Sequence, residues 1–127
     1  MLIITPAPTE TISQFTNDLF HKFRDFNDFN IIEIRNGSDL ENLETKSNNI
    51  IIVSKQLLDG YVADKKNEKL TGFDIIIFDE NHYGGTTKKS NDILETYSDK
   101  NTIKLYLTAT YRKPLKEWNI PDECQYY

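Results

Sequence analysis

Two adjacent carboxylates, Asp79 and Glu80, follow the apolar run Ile75-Ile76-Ile77-Phe78. Neighbouring side chains in extended chain point to opposite sides. One carboxylate of such a pair can face a metal-bound phosphate while the other faces an attacking water. Phosphoryl transfer needs both: an acid that holds Mg²⁺ and a residue that orients or activates water. Taken alone, the pair is equally what a solvated loop carries after a strand. Further polar clusters bear on the choice. Thr5 ends the run Leu2-Ile3-Ile4, Ser54 and Lys55 end Ile50-Ile51-Ile52-Val53, and Thr108, Ala109 and Thr110 end the run from Thr102 to Leu107.

The elements that must position these residues follow from hydrophobic pattern. Ile50 to Val53 is β-branched throughout, which reads as a strand buried on both faces, as in a parallel sheet. Phe73 to Phe78 repeats that pattern, and Ile31 to Ile34 and Thr102 to Leu107 add two more strands. Leu2 to Ile4 makes a fifth, stopped at Thr5 because Pro6 and Pro8 cannot continue a central strand. Between the strands, Ile12, Phe15, Leu19, Phe20 and Phe23 recur at helical spacing. They predict a helix over about 9–24, capped by Thr9 or Thr11, with Phe15, Phe20 and Phe23 in the core. Leu40 and Leu43 anchor a short, weak helix within 38–49. Another helix starts over 55–58, and Ile93, Leu94 and Tyr97 mark one within 87–97.

Strands alternating with helices imply an α/β domain with a largely parallel sheet of about five strands and flanking helices. Ligands of such sheets bind at the carboxyl ends of the strands. Thr5, Ser54, Asp79-Glu80 and Thr108-Thr110 all fall at those ends, so they should converge on one side of the sheet.

Composition sets the outer bounds. A chain of 127 residues is one domain's worth. The single cysteine, Cys124, excludes a disulfide framework and a cysteine-built zinc site, and His21 and His82 lack metal-ligand spacing. No apolar run approaches the roughly 20 residues of a membrane span. The opening residues have neither a basic stretch nor a cleavage site, so the expectation is an intracellular chain, cytoplasmic, nuclear or in a viral factory. A net charge of -5 argues against wrapping nucleic acid by bulk charge but leaves room for a local groove.

The order of the polar clusters adds a family resemblance. Ile75-Ile76-Ile77-Phe78-Asp79-Glu80-Asn81-His82 resembles the DExH form of the Walker B segment of superfamily-two helicases and translocases. Leu107-Thr108-Ala109-Thr110 resembles their motif III. Ile3 to Thr9 looks like motif Ia, and Val53-Ser54-Lys55-Gln56-Leu57-Leu58 like the motif Ib region. Gly84-Gly85-Thr86 after the DExH box is closest to restriction-enzyme-like and viral or phage members. The likeness runs over roughly 2–118 and implies an incomplete RecA-like domain, the first helicase ATP-binding lobe, across 1–127. It also implies a strand order of 103–107, 74–78, 2–5, 50–53, 31–34.

The resemblance assigns roles by position. Asp79 would hold Mg²⁺, usually through water, and Glu80 would position and polarise the hydrolytic water. His82, Thr108 and Thr110 would couple nucleotide state to nucleic-acid grip. Thr5, Pro6, Ser54 and Lys55 would lie near the phosphates of a bound DNA or RNA strand. ATP and Mg²⁺ are then the cofactors of an intact parent protein, with none expected on this chain alone.

The reason is a missing part. The family's phosphate-binding P-loop ends in Gly-Lys-Thr or Gly-Lys-Ser, and its backbone amides and Lys cradle the phosphates. The five glycines here, 37, 60, 72, 84 and 85, are none of them followed by Lys. Motifs of a second lobe are absent as well. The expectation is a motor fragment that is inactive alone, its partners being the P-loop segment and the second RecA-like lobe. Its strand at 103–107 would form an exposed edge open to self-association. The alternative is a non-catalytic, flavodoxin-like α/β regulatory or interaction module whose acidic residues bind Mg²⁺ or accept a phosphoryl group.

Overall fold

In the computed structural model the β-branched runs form the sheet. Residues 1–5, 10–44, 48–62, 70–80, 88–108 and 120–126 are described. Five strands lie side by side: β1 (Leu2–Thr5), β2 (Asn30–Ile34), β3 (Asn49–Ser54), β4 (Ile75–Glu80) and β5 (Ile103–Thr108). Their order is β2-β3-β1-β4-β5, and every pairing is parallel. This is the order that the family resemblance implies.

The connections are α1 (Glu10–Gln14), α2 (Gly37–Glu41), α3 (Lys55–Val62) and α4 (Lys88–Tyr97). Travel from β1 to β2 runs toward one edge, and the three later crossovers run back toward the other. With one hand of crossover, reversing the direction of travel moves the connecting helix to the opposite face. The packing agrees. Leu40, Leu58, Ile93, Leu94 and Tyr97 from α2, α3 and α4 pack on Leu2, Ile4, Ile34, Ile51, Val53, Ile76 and Phe78. On the other face, Ile12 and Phe20 pack on Ile3, Ile50 and Ile52.

Two expectations need correction. The helix predicted over 9–24 is α-helical only to Gln14 and continues as a π-helical turn over Phe15–Phe20. A π turn takes more residues per turn than an α-helix, so the apolar stripe drifts off the core. Phe20 stays buried, Phe15 is half-buried, and Phe23, expected in the core, is 46% exposed with Lys22 Nζ above its ring. The second correction concerns β4, which does not stop at Phe78. Asp79 and Glu80 are strand residues, in register with Leu107 and Thr108 of β5.

The second face is covered unevenly. Among the described residues no helix lies on it over β4 and β5. Ile75 and Ile77 are half-exposed there, and Ile103, Leu105 and Leu107 are exposed.

Candidate functional site

Strand β1 is the pivot of the sheet. Its following helix lies on one face, and those that follow β3 and β4 on either side lie on the other. A crevice opens at the carboxyl end of such a strand, where its neighbours' connections part. Thr5 closes β1 at that point. It is in register with Ser54 of β3, and the pairing of Ile4 with Phe78 sets it beside Asp79 of β4.

Thr5 is fully buried, and its Oγ1 has no hydrogen-bond partner among the described residues. A buried hydroxyl without a partner costs about 1–3 kcal/mol. The Asp79 carboxylate is its polar neighbour. Burial pushes the Asp79 pKa above the usual carboxylate range, and the approach of the Thr5 hydroxyl partly offsets that rise. The two groups interact without reaching good hydrogen-bond geometry. The Thr5 side chain is buried beside Asp79.

Ser54 is buried and spends its hydroxyl on local structure: its Oγ accepts from the Leu57 N–H at 3.2 Å. It thereby caps α3, satisfying one of the amides that a helix start leaves without a partner. Lys55, the first residue of α3, is half-exposed at the same end of the sheet. Glu80 and Thr108 are the last residues of β4 and β5 and stand in register with each other. Pro6, His82 and Thr110 lie outside the described residues.

Four of the sequence-predicted positions, Thr5, Ser54, Asp79 and Glu80, thus meet at adjacent strand ends, with Lys55 one step beyond Ser54 and Thr108 one strand further out. The donor chemistry at the centre is a carboxylate and a hydroxyl, both hard oxygen donors of the kind that suits Mg²⁺. Among the described residues no group of three or more His, Cys, Asp or Glu side chains gathers to hold a metal ion, and Asp79 is the carboxylate in view. A Mg²⁺ bound through one or two carboxylates plus substrate phosphates needs no more than that. The phosphate cradle has no counterpart in the sequence.

The sequence profile of the family described as type III restriction enzyme, res subunit, matches residues 2–113. The chain belongs to that family. It is a helicase-like ATPase family, and the match carries with it the superfamily-two, RecA-like character of the lobe. No curated protein and no solved structure matches the chain. No helix among the described residues is long and apolar enough to cross a membrane.

One polar cluster of this res-subunit-like lobe escaped the sequence reading. At the end of β2, Glu33 accepts from Thr16 Oγ1 at 2.5 Å and pairs with Arg35 Nη2 at 3.0 Å. Arg35 Nη2 also donates to Ser13 Oγ at 2.9 Å. Burial raises the Glu33 pKa, but the hydrogen bonds from Thr16 and Arg35 and the nearby charges outweigh it, and the net shift is downward. The signal was present in the sequence, as a lone acid inside the run Ile31-Ile32-Glu33-Ile34.

Proposed function

We propose that this chain supplies the Walker B and motif III part of an ATP-driven nucleic-acid helicase or translocase. The observation that carries the reading is the buried, unpartnered Thr5 hydroxyl beside the half-buried Asp79 carboxylate, one residue before Glu80 at the carboxyl edge of a parallel sheet. A bound ion or ordered water would satisfy such a buried group. Bound Mg²⁺ would neutralise phosphate charge and orient the transferring group. Asp79 would hold that ion, generally through water. The Thr5 hydroxyl would keep the carboxylate ionised and oriented. Glu80 would position the hydrolytic water and take up its proton.

Thr108 at the end of β5, with His82 and Thr110, would couple this chemistry to nucleic acid. Lys55 and Pro6 would contact the phosphates of the bound strand, and Ser54 would fix the start of α3 that presents Lys55. The P-loop and the second lobe would come from further sequence. Among the described residues β5 bonds to β4 alone and no helix lies on the second face over β4 and β5, a place that a strand-helix unit would fill. Without that unit the chain should not hydrolyse ATP, because the cradle that supplies most of the phosphate binding is lacking.

The absent Gly-Lys-Thr favours the second reading, a flavodoxin-like module that binds Mg²⁺ or accepts a phosphoryl group without hydrolysing ATP. The two separate in an ATPase assay. The chain joined to a P-loop segment and a second lobe is expected to hydrolyse ATP, faster with DNA or RNA present, while the chain alone does not. Thr108→Ala with Thr110→Ala should leave hydrolysis and abolish strand displacement. A completed protein without ATPase activity would reject the motor and leave the module.

A further inference from the structure

We propose that the Glu33 carboxylate is a latch that selects between two registers of the chain after α1: the π-helical one of this structure, with Phe20 inside, and an α-helical one with Phe23 inside. The backbone records the first register. The His21 N–H donates to Thr16 O, five residues back, at 2.8 Å, while the Phe23 N–H donates to Leu19 O, four residues back, at 3.2 Å. Such five-residue turns are rare and occur mostly singly. The sequence itself offers the alternative. At 3.6 residues per turn, an unbroken helix would set Phe23 within roughly 20° of Ile12 and Phe20 roughly 80° away. That helix would turn Phe23 toward the sheet. In the structure Phe20 is buried and Phe23 is exposed.

What tips the balance is polar and comes from β2. Thr16 Oγ1 donates to Glu33 Oε1. Arg35 Nη2 holds the other Glu33 oxygen at 3.0 Å and donates to Ser13 Oγ at 2.9 Å. Ser13 and Thr16 are three residues apart and so share one side of the helix. Bonded at both points, that side is fixed toward the end of β2. Thr16 is also the residue whose carbonyl takes the five-residue bond, so the latch grips the turn at its own acceptor. Hydrogen bonds to an ionised acceptor are roughly twice as strong as neutral ones. At the far end of the turn, the charge of a protonated His21 also favours the Glu33 carboxylate.

Aromatic contacts then carry the register onward. Phe20 meets Phe26 edge-on, with ring centroids 4.9 Å apart, and Phe26 meets Phe29 at 6.2 Å. Phe29 directly precedes β2, the strand that holds Glu33. The polar tie and the aromatic chain thus close a loop from the helix through β2 and back, and both require Phe20 inside. Without the polar tie, regular four-residue bonding and the burial of Phe23 favour the α register.

The test reads the register directly. NMR couplings across hydrogen bonds, measured on the 127-residue chain, name the acceptor of the His21 N–H. In the wild type that acceptor is Thr16. In Thr16→Val, which keeps the shape and loses the donor, it should shift by one residue to Asn17, and the Phe23 ring should gain contacts with isoleucine methyls of the sheet. Glu33→Ala, at a half-buried position, should give the same shift and serves if Thr16→Val does not fold. A double-mutant cycle gives a second readout. Phe23→Ala should barely move the urea midpoint of the wild type and should lower it clearly in the Thr16→Val background. An acceptor that stays Thr16 in the variants would overturn the proposal. So would a Phe23→Ala effect that is equal in the two backgrounds. None of these readouts involves ATP or nucleic acid, so their failure leaves the proposed motor chemistry standing.

Discussion

The two edges of the sheet are built to opposite plans. Strand β2 ends in buried Ile34, and its half-buried Glu33 is tied to Thr16 and Arg35. Apolar side chains cover that half of the sheet on both faces. At the other edge, β5 packs the partly buried Tyr106 on the core of one face and shows three aliphatic side chains on the other. The closed half holds the fold together. The open half carries Asp79, Glu80 and Thr108, and there, among the described residues, apolar side chains are exposed and the Thr5 hydroxyl is unsatisfied.

The largest stability effect that this contrast predicts is in the core of the closed half. Ile52 is fully buried between β1 and β2. Ile52→Ala should cost about 2–5 kcal/mol in urea unfolding. Leu105→Ala, measured at concentrations where the chain is monomeric, should cost less than about 1 kcal/mol. Equal costs at the two sites would break the contrast.

A smaller effect sharpens it through pH. The folded pKa of Glu33 is depressed, so its contribution is present above the unfolded value and is lost as pH falls through the folded one. Glu33→Gln should remove that pH dependence and cost a few tenths to about 1 kcal/mol at neutral pH, since the pair is partly exposed. Asp79 has the opposite sign. Its folded pKa is raised, so its contribution favours the fold below the unfolded value and declines as pH rises through the folded one. Asp79→Asn should therefore stabilise the chain at neutral pH and not in acid, while removing any metal-dependent activity. Thermal melts of both variants across the acid range check the two signs together.

The smallest change is expected for Thr5→Val. It removes a buried hydroxyl without good hydrogen-bond geometry but also a group that favours the Asp79 carboxylate. The two effects oppose each other, so stability should change by less than about 1 kcal/mol. The Asp79 carboxyl, followed by NMR titration, should move further up, because the Thr5 hydroxyl is what lowers it. A clear loss of stability would mean that the hydroxyl has a partner.

Much of this arrangement was legible in the residues. The β-branched runs Ile50 to Val53 and Ile75 to Phe78 announced buried parallel strands, and the polar residues that end them lie, as the pattern implied, at one end of the sheet. Three features were not legible. The π-helical turn over Phe15–Phe20 leaves no mark on an apolar pattern read at 3.6 residues per turn. Asp79 and Glu80 look like a loop by polarity, yet pairing with β5 keeps them in the strand, because a ladder is set by the neighbouring chain and not by side-chain hydropathy. The link from Glu33 to Thr16 joins residues 17 apart, which no local pattern reports.

The most direct measurement is ATP turnover by the protein completed with a P-loop and second lobe, with and without Glu80→Gln. If Glu80 positions the hydrolytic water and Asp79 holds the metal, the substitution should cut turnover by about 10²–10⁴-fold and leave ATP binding intact. Unchanged turnover in Glu80→Gln would contradict the assignment of this strand end as a phosphoryl-transfer site.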